Sequence, residues 1–310
     1  MPPLSGGTRF VTLDVFTAQA FGGNQLAVFP DARGIPEQAL LPVTREFNFS
    51  ETTFVYPPDD ARHTRRVRIF TPGGEIPFAG HPTVGTAHAL AELGEIELTG
   101  GTTRIVFEEG VGPVPVMIRA EDGRPVFAQL TAARAPEIVS ATLPLPAVLA
   151  EVLSLEQGDL VLGDWMPEAM TVGLPFLFVR VRDRAAVARA RVRIDRWEHT
   201  LAGTAASEVS VFALDGERPG SDLHARVFVP GLSVPEDPAT GSAAAAMAGY
   251  LGARDPRRDG TLRWVLEQGF EMGRPSIIEI EADKSGNRVT AARVGGASVM
   301  VSEGRIRIPA

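Results

Sequence analysis

The sequence predicts an α+β protein made of two related halves, in each of which strands lead into a polar turn and a helix. Its 310 residues, 44% of them hydrophobic, are enough for two domains of ordinary size. The stretch FAGHPTVGTAHAL at 78–90 has a counterpart in EDPATGSAAAAM at 236–247. The helix predicted after the second turn is rich in alanine and has no polar face, which is typical of a helix buried inside a wrapped sheet.

The first half opens with strands. Arg9–Phe16 alternates apolar and polar residues, as a half-buried strand does. A Gly-Gly-Asn turn and an apolar run at Ala20–Phe29 then predict a hairpin or a tight strand connection. Glu51–Pro57 and Arg65–Pro72 are predicted as two further strands, each closed by proline.

A helix follows the first polar turn, with Pro82 in its first turn and Gly94 as its C-terminal stop. Strands resume at TTRIVFEEG and PVPVMIRA, and the proline-rich, charged region at 121–146 is expected to contain the domain crossover. We therefore predict domains at 1–122 and 123–310. The last strand, at about 298–308, can belong to either domain.

The second half repeats this order. Strands are predicted at Gly173–Val181, Val209–Asp215 and Leu223–Pro230, the last of them again ending in proline. The second polar turn and the alanine-rich helix come next, and short strands joined by turns close the chain.

The two polar turns align at a constant spacing of 156 residues (237 − 81), which places His81-Pro82 over Asp237-Pro238 and Thr86 over Ser242. Chance similarity is the alternative, because Gly, Ala and Pro are common residues. The matched strand before each turn favours a true repeat, and we expect the two turns to meet.

Charge and composition exclude several classes of protein. The formal net charge is −8 and no dense Lys/Arg cluster interrupts it, which argues against a nucleic-acid partner. The chain has no cysteine, so disulfides, thiolate metal sites and thiol nucleophiles are excluded. The N-terminus lacks a signal-peptide pattern, and the most apolar helical stretch, at 243–253, is too short to span a bilayer. These features predict a cytoplasmic protein without a membrane partner.

The start of a helix presents unpaired N–H groups and partial positive charge, so it attracts carboxylates and developing oxyanions. Gly80 and Gly241 permit close backbone approach at the two predicted helix starts, and Ser242 adds a hydroxyl donor. Two such helix starts can bind a small acidic substrate and stabilise an enolate-like state. The alternative is that these residues are only good helix starters.

Three titratable residues are candidates for proton transfer. His81 and Asp237 belong to the two turns, and Glu51 opens a strand directly after Phe-Asn-Phe-Ser. An imidazole can exchange protons near neutral pH, and an apolar setting turns a carboxyl group into a usable acid and base. Asp237 can equally cap a helix, and Glu51 can equally be a solvated residue at the start of a strand.

No metal or cofactor is expected. His81 and His88 are seven residues apart and lack the one-turn spacing of helical zinc sites. Neither GxGxxG nor a Walker-type phosphate loop is present in the sequence.

Several segments together resemble the phenazine biosynthesis PhzF-like isomerase family. They are DVFTAQAFGGNQLAVF, FNFSETTFV, RIFTPGGEIPFAGHPTVGTA, VPGLSVPEDPATGSAAAA and LEQGFEMGRPS, which follow one another in family order through nearly the whole chain. The resemblance implies a diaminopimelate epimerase-like fold, with two pseudo-symmetric domains that each wrap a curved, mostly antiparallel sheet around a central helix. It also implies an active site in the cleft between the domains, and a homodimer.

The resemblance further implies a cofactor-independent isomerase that acts on a small carboxylate such as trans-2,3-dihydro-3-hydroxyanthranilate. Glu51 would move the proton as general acid and base, and His81 and Asp237 would position and polarise the substrate. Its carboxylate would bind to Ser242 and to the backbones of Gly80 and Gly241. Because the chain lacks cysteine, the two-thiol racemisation of related epimerases is not available to it.

One residue departs from the family pattern: Gln25 stands where a proline often follows the asparagine of the GGN segment. Two other functions stay open at this point. One is an epimerase or lyase acting on a small amino or hydroxy acid, and the other is a non-catalytic small-molecule binder.

Overall fold

The computed structural model describes residues 7–232 and 234–308 of the chain. In chain order, the strands and helices of these residues are β1 (Thr8–Val15), β2 (Asn24–Phe29), α1 (Glu37–Phe47), β3 (Glu51–Tyr56), β4 (Arg65–Thr71), β5 (Gly74–Ile76), α2 (Gly80–Glu92), β6 (Thr102–Glu109), β7 (Gly112–Glu121), β8 (Arg124–Thr131), β9 (Glu137–Ile138), α3 (Pro146–Val152), β10 (Glu168–Thr171), β11 (Pro175–Arg180), α4 (Arg184–Arg189), α5 (Ile194–Thr200), β12 (Glu208–Ala213), β13 (Leu223–Val229), β14 (Val234–Asp237), α6 (Gly241–Arg254), β15 (Gly260–Gln268), β16 (Ser276–Ser285), β17 (Arg288–Gly296) and β18 (Ser298–Ile306).

The chain divides into two compact units. Among the described residues, the first comprises 7–133 and 295–308, and the second comprises 134–232 and 234–294. The division comes later in the chain than the expected boundary at 122/123, because β8 continues the sheet of the first unit as the antiparallel neighbour of β7. The C-terminal strand β18 pairs with β1 and so belongs to the first unit, which is one of the two placements expected from the sequence.

The first unit has a mixed sheet in which antiparallel pairs predominate. β1 pairs antiparallel with both β18 and β2, and β2 runs parallel to β3. β3 then pairs antiparallel with β4, β4 pairs parallel with β6, and β6, β7 and β8 form an antiparallel meander. Helix α2 contacts strands from both ends of this succession, namely β1, β2, β3, β7, β8 and β18. The sheet therefore curves around α2.

Small side chains allow α2 to lie inside the sheet. Every residue from Gly80 to Ala91 is buried. At Gly85, a Cβ atom would lie 2.6 Å from a methyl group of Val15 and 2.7 Å from one of Leu26, so only glycine permits this approach to β1 and β2. A hydrogen bond of 2.9 Å between the Thr53 and Thr86 hydroxyls also links the helix to β3.

The second unit follows the same plan. β10 and β11 are antiparallel, β11 runs parallel to β12, and β12 pairs antiparallel with β13. β13 then runs parallel to β15, which pairs antiparallel with β16. Helix α6 contacts β10, β11, β15 and β16, and nearly all of its side chains are buried. The elements of the first unit therefore recur in the second unit in the same order. The first series is β2, α1, β3, β4, β5, α2, β6 and β7, and its counterpart is β11, α4 with α5, β12, β13, β14, α6, β15 and β16.

This repeat corrects the alignment of the two turns. The sequence spacing of 156 pairs His81 with Asp237, but α2 and α6 begin 161 residues apart (241 − 80). Gly80 is therefore the counterpart of Gly241, and His81 the counterpart of Ser242. Asp237 differs from His81 because it is still the last residue of β14, whereas His81 already lies in the first turn of α2.

The α+β class and the curved sheet around a central helix are confirmed in each unit. The helices α1, α3, α4 and α5 were not predicted. Helix α1 carries Pro42 in its interior and has no side-chain cap at its start, and both features are sequence signals against a helix. None of the helices in the described residues is long and apolar enough to cross a membrane.

Candidate active site

Glu51 and His81 meet in the first unit. Oε2 of Glu51 lies 3.4 Å from Nε2 of His81, and the two side chains are only 16% and 4% exposed. Glu51 is the first residue of β3, and His81 is the second residue of α2. Gly80, the first residue of α2, lies directly beside this pair in the chain. The structure therefore brings together the three residues that the sequence predicted in this unit.

The strand β2 positions both partners of this pair. Leu26 is the register partner of Glu51 across the parallel β2–β3 pair, so the start of β3 is fixed beside the start of β2. Asn24, the first residue of β2, has its Nδ2 atom 3.3 Å from Nδ1 of His81. The Ser50 hydroxyl donates a hydrogen bond of 3.4 Å to Oδ1 of Asn24. One amide side chain thereby connects the histidine ring to the residue before Glu51.

His81 is an uncharged imidazole at neutral pH. Burial lowers its pKa to about 3, and this effect outweighs a hydrogen bond with the Gln25 backbone that acts in the opposite direction. A neutral ring interacts with Glu51 or with a substrate as a hydrogen-bonding group and not as a cation. The expected role of His81 in positioning a substrate is compatible with this state, because positioning needs no change of charge.

The phenylalanines before Glu51 have a structural role. The Phe47 ring packs against Phe10 at a centroid distance of 4.8 Å and against Phe29 at 5.8 Å. Phe49 lies 6.0 Å from Phe47. These contacts place Phe47 in an aromatic cluster between α1 and the sheet. Glu51 itself contacts His81 at the buried start of α2.

Asp237 lies in the second unit, at the end of β14, and is 8% exposed. The Thr240 hydroxyl donates a hydrogen bond of 2.5 Å to its carboxylate. Gln268 connects the two ends of this turn: its Nε2 donates to the Asp237 carbonyl at 2.7 Å, and its Oε1 accepts from the Thr240 amide at 3.1 Å. The Asp237 side chain is therefore held by the turn that leads into α6.

The segment LEQGFEMGRPS supports this turn from β15 and β16. The Ser276 hydroxyl donates a hydrogen bond of 2.9 Å to the Pro238 carbonyl. At Gly269, which has a φ of +77°, a Cβ atom would lie 2.5 Å from that same carbonyl. Only glycine combines this backbone conformation with such a close approach. This segment carries part of the family resemblance, and none of its residues was predicted to belong to the site.

The same segment contains a buried ionic cluster. His224 contacts Glu267 through Nδ1 and Glu271 through Nε2, both at 2.9 Å. Burial disfavours a charge on the ring, but the hydrogen bonds to the two carboxylates outweigh it and raise the pKa of His224. The cluster anchors β15 to β13 directly beside Gln268.

Gly241 and Ser242 are the first two residues of α6, and Ser242 is partly exposed. The Ala244 amide makes the first hydrogen bond of the helix, to the Thr240 carbonyl at 2.9 Å. The preceding amides of Gly241, Ser242 and Ala243 lie before the first intrahelical bond, so this helix start has the donors that an anionic group needs. Asp237, Gly241 and Ser242 thus belong to one turn of the second unit.

Sequence reasoning gave no role to Asn24, Ser50, Thr240, Gln268 or Ser276. Asn24 follows the Gly-Gly turn, and Thr240 precedes the start of α6, so their positions beside the predicted site residues were available as a signal. Gln268 and Ser276 are distant in sequence and had no such signal. Among residues 7–232 and 234–308, no group of three or more His, Cys, Asp or Glu side chains is arranged to hold a metal ion.

Similar proteins are known that match nearly the whole chain. The family model described as phenazine biosynthesis-like protein matches residues 13–304. The chain is 39% identical to an uncharacterized isomerase of Mesorhizobium japonicum, over 97% of this chain and 99% of the relative. It is 33% identical to trans-2,3-dihydro-3-hydroxyanthranilate isomerase of Pseudomonas aeruginosa, over 96% and 98% of the two chains.

A solved structure shows the same fold. The phenazine biosynthesis protein of the PhzF family from Bacillus anthracis superposes with a TM-score of 0.86, at 24% identity, and covers 97% of this chain and 99% of its own. The match of the family model over almost the whole chain and the 39% identity to a full-length relative lead to one conclusion: this chain belongs to the phenazine biosynthesis-like (PhzF) protein family.

Proposed function

We propose that this isomerase moves a proton from one carbon to another within a small carboxylate substrate, with Glu51 as the general acid and base. The observation that carries the proposal is the contact between the Glu51 carboxylate and the buried, neutral His81 ring at the start of α2. The full-length similarity to trans-2,3-dihydro-3-hydroxyanthranilate isomerase of Pseudomonas aeruginosa supports a dihydro-hydroxyanthranilate-like substrate.

The proposed reaction needs no external reactant. The Glu51 carboxylate takes a proton from a substrate C–H bond, and the electron pair of that bond spreads into the adjacent double bonds. The resulting Glu51 carboxylic acid returns the same proton to a different carbon, and the double bonds shift with it. Substrate and product have the same atoms and the same number of electrons, so the cycle requires no cofactor.

The other predicted residues would bind and polarise the substrate. His81 offers one neutral hydrogen-bonding nitrogen beside Glu51, and Gly80 offers a backbone amide at the start of α2. We propose that Asp237 and Ser242, with the backbone of Gly241, hold the polar groups of the same substrate. The start of α6 provides the amide donors that suit a carboxylate or an enolate-like oxygen.

The experiment that tests this proposal is a proton NMR assay in heavy water with trans-2,3-dihydro-3-hydroxyanthranilate and no added cofactor. We expect wild-type turnover and its loss, by at least about a thousandfold, in Glu51→Gln, because the amide cannot take up the proton. Glu46→Gln is the matched control, because Glu46 is exposed and lies five residues earlier on α1 (51 − 46). It should retain full activity.

The product distinguishes the remaining functions. Isomerisation with the double bonds shifted supports the proposal, whereas inversion at one carbon or elimination indicates an epimerase or a lyase. Turnover by Glu51→Gln would exclude Glu51 as the base. Tight binding of the substrate without turnover, by wild type and variant alike, would indicate a non-catalytic binder.

A further inference from the structure

Glu109 is a buried carboxyl group that the proposed reaction does not use. It is the last residue of β6 and is 8% exposed. Its Oε1 atom lies 2.7 Å from the Thr83 hydroxyl, and its buried Oε2 atom has no hydrogen-bond partner in the described part of the chain. A buried carboxylate normally has a cation or several N–H donors beside it. In the described part of the chain, Glu109 has a single hydrogen-bond partner, the Thr83 hydroxyl.

The contacts of Thr83 show which form of Glu109 the structure accommodates. The Thr83 hydroxyl oxygen lies 2.7 Å from the Ala79 carbonyl oxygen and also 2.7 Å from Oε1 of Glu109. A hydroxyl has one proton to donate, and a carbonyl oxygen can only accept. Both contacts are hydrogen bonds only if Thr83 donates to Ala79 and the carboxylic acid of Glu109 donates to Thr83.

This chain of two hydrogen bonds ends in the candidate active site. Ala79 is the N-cap residue of α2 and its side chain makes no capping hydrogen bond. Thr83 lies in the first turn of the same helix, so the Ala79–Thr83 bond closes the turn that carries His81. Glu109 supports this turn from outside the helix.

We propose that Glu109 is a positioning residue for the reaction: as a neutral carboxylic acid it donates to Thr83 and thereby holds the first turn of α2, and with it His81, beside Glu51. The proposed role of the turn in catalysis rests on the proposed function. The protonated state of Glu109 and its coupling to the turn do not.

The histidines of α2 supply no positive charge to pair with Glu109. Burial lowers the pKa of His81, which contacts Glu51, to about 3 and the pKa of His88 to about 4. On the side of the sheet, a cavity of about 560 Å³ is lined by Glu109 and by several charged side chains, namely Asp59, Asp60, His63, Arg66, Arg68, Glu75 and Glu108.

Within the described residues, none of the basic side chains of that cavity pairs with Glu109. His63 contacts Glu108 at 2.8 Å, and Arg66 lies 3.6 Å from Asp59. Arg68 contacts both Glu37 and Glu75 at 2.6 Å. Burial raises the pKa of Glu109 to about 8, and only a hydrogen bond donated by Thr83 to the ionised carboxylate would act in the opposite direction. The carboxyl group is therefore neutral at pH 7 and ionises just above it.

Ionisation removes the donor. Above pH 8, the Glu109 carboxylate and the Ala79 carbonyl compete for the single Thr83 proton, and a buried charge stands one side chain away from the first turn of α2. We therefore expect the turn to loosen as the pH rises through about 8.

NMR titration of the whole protein tests the coupling without a substrate. In wild type, the amide signals of Gly80, His81 and Thr83 should shift together with a midpoint near pH 8. Glu109→Gln should abolish this shift, because the amide group donates to Thr83 at every pH. Glu108→Gln is the matched control: Glu108 is the preceding residue and is bonded to the Asp59 amide and to His63, so the shift should persist.

Two outcomes would overturn the proposal. One is a carbon-13 titration of the Glu109 carboxyl group at an ordinary value near pH 4.5, and the other is an unchanged amide shift in Glu109→Gln. If Glu109→Gln fails to fold, Thr83 offers the second route. Thr83→Val removes the hydroxyl and should uncouple the amide shifts from pH, whereas Thr83→Ser keeps the hydroxyl and should restore them.

The pH profile of activity tests the positioning role. For wild type, kcat/KM should fall above pH 8, and in Glu109→Gln this alkaline limb should be absent. Thr83→Val should lower kcat/KM by about ten- to a hundredfold at pH 7, because a displaced turn misplaces His81. An alkaline limb unchanged in Glu109→Gln would contradict the role. Should wild type show no turnover of the tested substrate, the proposed function fails on its own and the NMR titration still decides the coupling.

Discussion

Oε2 of Glu51 and Nε2 of His81 lie 3.4 Å apart, at the point where the start of β3 meets the start of α2. Two features of the fold create this contact. The parallel pairing of β2 with β3 places Glu51 opposite Leu26, and Gly85 lets α2 approach the Leu26 side chain. The proximity of the two groups therefore depends on close packing inside the first unit.

We expect the His81 ring to remain uncharged down to about pH 4, because burial lowers its pKa to about 3. In the unfolded chain, a histidine takes up a proton near pH 6.5. The free energy of unfolding should thus be independent of this group above pH 6.5. Below pH 6.5, the free energy of unfolding should decrease as the pH is lowered, by up to about 1.4 kcal/mol per pH unit for each such histidine. Proton NMR of the imidazole rings and urea unfolding between pH 4 and 7 measure the two effects.

His88 gives a control for this acid sensitivity outside the candidate site. Burial lowers the pKa of His88 to about 4 as well. His88→Gln should therefore make stability less dependent on pH between 4.5 and 6.5. Protonation of the His81 ring near pH 6.5 in the folded protein would contradict the prediction.

Gly85→Ala should destabilise the first unit by about 1–3 kcal/mol, because the added methyl group would lie 2.6 Å from Val15 and 2.7 Å from Leu26. The displacement of α2 should also lower the activity of the folded variant. Denaturant unfolding measures the loss of stability. Gly34→Ala is the control, because nothing lies within 4 Å of a Cβ atom there. Equal stabilities for the two variants would show that α2 does not need this approach.

Gln268→Ala should cost about 1–3 kcal/mol of stability, because it removes the two buried hydrogen bonds that Gln268 makes to the Thr240 amide and the Asp237 carbonyl. We also expect it to lower kcat/KM, since Asp237 and the start of α6 lose their common support. Gln38→Ala, at an exposed position on α1, is the matched control and should change neither quantity. Full activity in Gln268→Ala would remove the second turn from the proposed substrate site.

The positions of many strands along the chain were predictable because the sequence signals for them are local. Alternating residues in β1, and prolines directly after the predicted strands at 51–57 and 65–72, predicted these elements from short windows of sequence. Helix α1 was missed because Pro42 lies inside it, and β8 was missed because a charged, proline-containing stretch precedes its apolar residues. Packing against neighbouring strands decides both cases.

The candidate site was predictable in its residue types and not in its geometry. Glu51, His81 and Asp237, with Gly80, Gly241 and Ser242, were chosen from the sequence, and their catalytic and binding roles remain predictions. The homodimer, the cytoplasmic location and cofactor-free, metal-free chemistry also remain predictions. The alignment of His81 with Asp237 was wrong in register, because similar residues recur 156 positions apart whereas the two helices begin 161 positions apart.

The sequence by itself determined the α+β class, the repeated strand, turn and helix, and the absence of thiol chemistry, since these depend on residue type and local periodicity. Only the tertiary structure decided the contact of Glu51 with His81, the neutral state of that ring, the support of Asp237 by Gln268 and the buried acid of Glu109. Each of these depends on distances between residues far apart in the chain and on the removal of water around them. Such distances arise only when the sheet closes around its helix.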